Sequence, residues 1–89
     1  MTTHRSIRVH GRVQGVYYRQ TAKAEALRLG LTGFARNDPD GTVFIEVEGD
    51  AAAIDRFVKW CEVGPPTARV ERVETSGGDV VGYSGFVTK

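Results

Sequence analysis

A tight turn, Asp38-Pro39-Asp40-Gly41, lies between two alternating apolar runs and folds the middle of the chain into a hairpin. Asp at the first position, Pro at the second and Gly at the fourth fit a type I turn, whose proline presets the backbone dihedral. Before the turn, Leu31 to Asn37 reads as a strand; after it, Val43, Ile45 and Val47 alternate with Phe44, Glu46 and Glu48. On either side of the hairpin the apolar period becomes helical. Upstream, Tyr18, Ala22, Ala26 and Leu29 keep helical spacing, and Gly30 suits the end of that helix. Downstream, Ile54, Phe57, Val58 and Cys61 occupy i, i+3, i+4 and i+7, a core-facing stripe closed by Gly64-Pro65-Pro66. Asp50 is placed to cap this second helix with its carboxylate.

The outer segments complete the pattern. Ser6 to Gly11 alternates Ile7 and Val9 with Arg8 and His10, a half-buried strand. Ala68 to Thr75 reads as a fourth strand whose Val70 and Val73 fall out of phase, which requires a bulge or an edge position. Ser76 to Asp79 reads as a loop, and Tyr83 to Val87 as a short last strand. The order is strand, helix, strand, strand, helix, strand, with a short tail. Right-handed crossovers then place both helices on one face of an antiparallel sheet. The expected class is α+β, the ferredoxin-like split βαβ sandwich (βαββαβ). With 89 residues there is no room for a second core, so one domain spanning 1–89 is expected.

Composition narrows function. Twelve Lys and Arg against 11 Asp and Glu leave a formal charge of +1, which supplies no basic field for nucleic acid or an anionic membrane. No apolar run approaches the roughly 20 residues that cross a bilayer. The start, Met1 to Arg5, lacks the apolar core of a secretory signal, so a cytoplasmic protein is expected, by default a monomer. Cys61, the single cysteine, sits on the apolar stripe and reads as a buried structural thiol. His4 and His10 lack partners at ligand spacing and read as solvated or structural, so neither metal nor cofactor is expected. Alternation makes Glu46 and Glu48 a solvated strand face.

The richest stretch chemically is Val9-His10-Gly11-Arg12-Val13-Gln14-Gly15-Val16-Tyr17-Tyr18-Arg19, which joins a strand to a helix N-terminus. Free backbone N–H groups and the positive end of the helix dipole favour an anion there. Gly15 permits a left-handed residue that turns successive amides towards one point, and Arg19 can offer a planar guanidinium to phosphate oxygens. The lysine and Ser/Thr of a nucleotide P-loop are missing. Asn37 ends its strand immediately before the turn. By spacing alone it reads as a side chain bonded to the Asp38–Gly41 turn, although an amide there can also orient water.

These two stretches resemble the two signatures of the acylphosphatase family. Val9 to Arg19 matches Val-x-Gly-Arg-Val-Gln-Gly-Val-x-(Phe/Tyr)-Arg at every fixed position, and Gly33 to Val43, closed by Gly49, matches the second. The resemblance implies a hydrolase that cleaves the carboxyl–phosphate bond of small acyl phosphates. It implies that the backbone amides of Gln14, Gly15, Val16, Tyr17, Tyr18 and Arg19 cradle the phosphoryl group, that Arg19 binds its oxygens and that Asn37 positions the attacking water. Inorganic phosphate is then both product and competitive inhibitor. Two departures stand out. Asp38 puts a carboxylate beside the water site, and the ending Phe86-Val87-Thr88-Lys89 is shorter and less aromatic than many family tails, leaving open whether it supports the site.

Two other readings belong to other classes. The same fold hosts RNA-binding modules, and Gly82-Tyr83-Ser84-Gly85-Phe86-Val87 echoes their Gly-aromatic-Gly-Phe-Val motif, though a serine interrupts it and the charge is near neutral. A non-catalytic regulatory module is the second, since related domains occur within larger maturation proteins; the presence of both Arg19 and Asn37 argues against it.

Overall fold

The computed structural model describes residues 1–89. The elements are β1 (Thr2–Arg12), α1 (Tyr18–Arg28), β2 (Thr32–Asn37), β3 (Val43–Asp50), α2 (Ala51–Val63), β4 (Arg69–Gly78) and β5 (Phe86–Thr88). They form one sheet of order β4-β1-β3-β2-β5. Ile7, Val9, Ala35, Val43, Ile45 and Val47 point to one face and enclose a core with Ala22 and Ala26 of α1 and Ile54, Phe57 and Cys61 of α2. Both helices therefore lie on that face. Burying each of the larger side chains stabilises the fold by roughly 1.5–3 kcal/mol.

The hairpin forms as its turn residues dictate. The Gly41 N–H donates to the Asp38 carbonyl at 3.1 Å, and the Asp40 carboxylate accepts from the Thr42 N–H at 3.0 Å. Helix α1 closes in a Schellman arrangement: Leu31 N–H reaches Ala26 O and Gly30 N–H reaches Leu27 O, with Gly30 at φ 74°. The out-of-phase valines of β4 have both expected causes. This strand is a sheet edge, and its register against β1 shifts between His10, opposite Arg72, and Gly11, opposite Val70, leaving Glu71 as the extra residue of a bulge. At Gly11 the backbone adopts φ 126°, and a Cβ there would sit 2.2 Å from the Arg69 carbonyl oxygen.

The structure corrects several expectations. The sheet is mixed, because β5 runs parallel to β2. After β4 the chain crosses the sheet face opposite the helices and reaches the far edge in the same direction as β2. Strand β1 starts at Thr2 rather than Ser6, and β4 extends through Gly78, because Ser76 to Gly78, expected in a loop, pair with Ser6 to His4. The last strand begins at Phe86, with Tyr83 in the crossing segment. Asp50 takes the extended backbone of an N-cap, yet its side chain makes no capping bond.

The largest correction is Glu48. It is buried, 2% exposed, beneath the crossing segment. Its carboxylate accepts the backbone N–H groups of Val81, Gly82 and Tyr83 and pairs with His4 Nδ1 at 2.7 Å. His4 is buried with it, against the Tyr83 ring, and the Tyr83 hydroxyl donates to Glu46. A face that alternation assigns to solvent is thus partly roofed by a later part of the chain. Cys61 is fully buried, and that burial pushes its thiol up to about 12.

Candidate active site

The connection from β1 to α1 has the backbone geometry of an anion nest. Gly15 lies at φ 73° and Tyr17, alone among non-glycine residues, at φ 65°. Left-handed residues alternating with ordinary ones turn the intervening N–H groups to one side, the geometry of an anion nest. The N–H groups of Gln14 to Tyr17 find no protein acceptor, and the first backbone bond of the helix runs from Thr21 N–H to Tyr17 O at 3.1 Å. Tyr18, Arg19 and Gln20 are the opening residues of α1, whose amides have no carbonyl four residues back within the helix. No side chain caps this end and the first turn carries no acid, so its positive dipole end is uncompensated.

Arg19 and Asn37, distant in sequence, line one cleft of about 210 Å³ together with Val13, Gly15, Tyr17, Tyr18 and Gln20. Asn37 reaches it because β2 alternates: Ala35 points into the core on the helix side, and Asn37, two residues on, points the same way at the strand's end. Its Oδ1 is buried and has no hydrogen-bond partner. It makes no hydrogen bond to the Asp38–Gly41 turn, against the reading that spacing favours. A buried acceptor without a donor costs roughly 1–3 kcal/mol, which a bound ligand or water would recover.

Three supports surround the cleft. The Gln14 side chain leaves the anion loop and donates through Nε2 to Asp38 O at 2.7 Å and Thr42 O at 3.0 Å, tying the loop to the turn beside Asn37. Tyr18, where the signature accepts Phe or Tyr, uses its hydroxyl. It donates to Cys61 O at 2.7 Å, and the ring packs at a tilt against Trp60, centroids 5.3 Å apart, so the start of α1 is fastened to α2. Burial raises this phenol well above the usual tyrosine range. Arg19 donates through one terminal nitrogen to the main-chain oxygen of Lys89 at 2.6 Å, and Lys89 N–H donates to Ala35 O at 2.8 Å. The short tail does support the site, through its backbone rather than through aromatic side chains.

Asp38 sits next to Asn37 but outside the cleft lining. Its carboxylate accepts from Arg36 Nε at 2.7 Å and from an Arg8 terminal nitrogen at 2.8 Å. These bonds, Arg36 first, hold its pKa below the usual carboxylate value. The two guanidiniums, which also stack over Phe44, offset the negative charge that the sequence places beside Asn37. No carboxylate, imidazole or thiol lines the cleft.

Sequence reasoning missed the Gln14 bridge and the Lys89 contact. Gln14 lies inside the motif, and an uncharged polar residue in a loop is the only hint that its side chain has a partner. Nothing local points to Lys89, which reaches Arg19 only through the parallel placement of β5.

Comparison with known proteins gives the family and the fold. The acylphosphatase family model matches residues 5–88. The acylphosphatase of Anaeromyxobacter dehalogenans is 53% identical over 77 residues, covering 86% of this chain and 83% of that protein. Among solved structures, an acylphosphatase from Coxiella burnetii superposes with a TM-score of 0.95 at 33% identity, covering 99% of this chain and 93% of that one. The acylphosphatase from Bacillus subtilis gives a TM-score of 0.93 at 33% identity, covering 100% and 99% respectively.

Proposed function

The chain belongs to the acylphosphatase family and hydrolyses acyl phosphates, and we propose that it does so by direct in-line attack of a water oriented by Asn37. The reaction is R–CO–O–PO₃²⁻ + H₂O → R–COO⁻ + H₂PO₄⁻. In this reading the amides of Gln14 to Arg19 and the guanidinium of Arg19 hold the three phosphoryl oxygens. The observation that carries it is the buried, unpartnered Oδ1 of Asn37 in the same cleft as Arg19 and the free amides of the loop.

The chemistry follows from the groups present. An acyl phosphate expels a carboxylate, a good leaving group that needs little protonation. Phosphoryl transfer through a loose transition state depends on charge stabilisation and alignment more than on covalent help. Preorganised N–H donors and one guanidinium stabilise charge on the equatorial oxygens without reorganising. Asn37 Oδ1 accepts one O–H of the water, which leaves a lone pair of that water to face phosphorus. The cleft lining holds no carboxylate or imidazole to act as base, so the water's proton passes to an oxygen of the transferred phosphoryl group. Ordinary phosphate esters, whose alkoxide needs an acid, are poor substrates on this account.

The same reading makes the protein a cytoplasmic monomer inhibited competitively by inorganic phosphate. No helix is long and apolar enough to cross a membrane. The test is hydrolysis of benzoyl phosphate by Arg19→Gln beside the wild type. The variant should lose nearly all turnover, and phosphate should cease to bind it. Retained phosphate binding would remove Arg19 from the cradle. A wild-type pH profile of kcat that reports an enzyme group of carboxylate or imidazole pKa would contradict the proton route.

A further inference from the structure

We propose that the side chain of Tyr17 reads the acyl group, favouring substrates whose acyl part is an aromatic ring over those of acetyl size. The proposal rests on the reading of the cleft above, in which the phosphoryl group is held by Arg19 and the loop amides.

Tyr17 is unexplained by folding. It is the one non-glycine residue at positive φ, and a bulky side chain is a poor occupant of that conformation, which Gly or Asn adopts more easily. The backbone needs the conformation to turn its amides inward; the ring does not help it. Nor does the ring gain from burial. It is 73% exposed, its hydroxyl makes no hydrogen bond, and it stacks on no other aromatic side chain. A large apolar group kept in a strained, solvated position at a binding cleft points to a ligand contact.

The geometry of the reaction says which part of the ligand. In-line displacement sets the water and the leaving carboxylate on opposite sides of phosphorus. With the water at Asn37, the acyl group faces the rest of the lining. Val13 and Tyr18 are committed to the core at 1% exposure each, and Gly15 has no side chain. Of the side chains not already assigned, only Tyr17 and the polar Gln20 are free to meet the acyl group. An aromatic acyl group can stack on the Tyr17 ring and remove its face from water; a methyl group cannot cover it.

The experiment measures kcat/KM for benzoyl phosphate and for acetyl phosphate, and inhibition by inorganic phosphate, in the wild type, Tyr17→Asn and Tyr17→Phe. Asn keeps the left-handed backbone while removing the ring. The benzoyl-to-acetyl ratio should fall by about 3–10-fold in Tyr17→Asn and hold in Tyr17→Phe, the range expected for one aromatic contact. An unchanged ratio in Tyr17→Asn overturns the proposal. So does an equal fall for both substrates accompanied by weaker phosphate inhibition, which would make Tyr17 a support of the cradle. Failure of phosphate to inhibit the wild type would instead undo the reading of the cleft itself.

Discussion

Replacing Glu48 by Gln removes the charge that fastens the crossing segment to the sheet while keeping nearly the same shape. One oxygen of Glu48 accepts Gly82 and Tyr83 N–H, the other Val81 N–H and His4 Nδ1. Gln can serve one pair as an uncharged acceptor; its NH₂ then confronts the Val81 N–H and meets His4 Nδ1 only in the other ring tautomer. Losing two hydrogen bonds to a charged acceptor costs about 2–4 kcal/mol. Linkage leads to a similar size. Burial alone would raise the Glu48 pKa, but the Val81 N–H, His4 and the other two amides more than reverse this and hold it at about 2, against an ordinary 4.5. A depression of that extent corresponds to roughly 3 kcal/mol. Because the folded pKa is the lower one, this stability is present above pH 4.5 and is lost as pH falls towards 2. The assay is urea unfolding of wild type and Glu48→Gln at several pH values. At pH 7 the variant should be less stable by about 2–4 kcal/mol, on the order of 10–20 °C in Tm, and the gap should narrow progressively below pH 4.5. A variant as stable as wild type at pH 7, or a gap independent of pH, would refute the reasoning.

Two further outcomes are expected. Gln14→Ala unties the anion loop from the turn beside Asn37, so kcat should fall by roughly tenfold while unfolding free energy drops by only about 1–2 kcal/mol; a kcat loss no larger than twofold would make the bridge incidental. Gly11→Ala drives a Cβ to 2.2 Å from the Arg69 carbonyl at a left-handed φ, so it should destabilise by more than about 2 kcal/mol; urea unfolding that detects a change below about 0.5 kcal/mol would show that the bulge relaxes freely.

Much of this architecture is legible locally. The Asp38–Gly41 turn, the Ile54–Cys61 stripe and the Gly30 helix end each follow from the dihedral or spacing of a few neighbouring residues. What depends on long-range crossing is not legible. Glu46 and Glu48 alternate with valines and isoleucine, so periodicity sends them to solvent. Only the path of residues 79–85 over that face makes Glu48 a buried acceptor and His4 its partner. The same path turns the last strand parallel and brings the Lys89 oxygen to Arg19. At the site, the anion loop can be read from glycine placement and the helix start, and Arg19 from its position one residue into the helix. Asn37 is different: spacing alone favours a side chain bonded to the turn, and only the resemblance to a family motif implies a role in orienting water. The structure adds an observation that spacing lacks, an amide oxygen buried in the Arg19 cleft without a hydrogen-bond partner.

The division of labour between Arg19 and Asn37 is tested most directly by the kinetics of Asn37→Ala, with kcat for benzoyl phosphate and the inhibition constant of inorganic phosphate measured on the same sample. Removing Oδ1 takes away the acceptor proposed for the water and leaves the guanidinium and loop amides in place. The expected result is a kcat lowered by roughly 100-fold or more with the phosphate inhibition constant within about twofold of wild type. A kcat within a few-fold of wild type, or phosphate binding lost in parallel with turnover, would contradict the assignment of the water to Asn37.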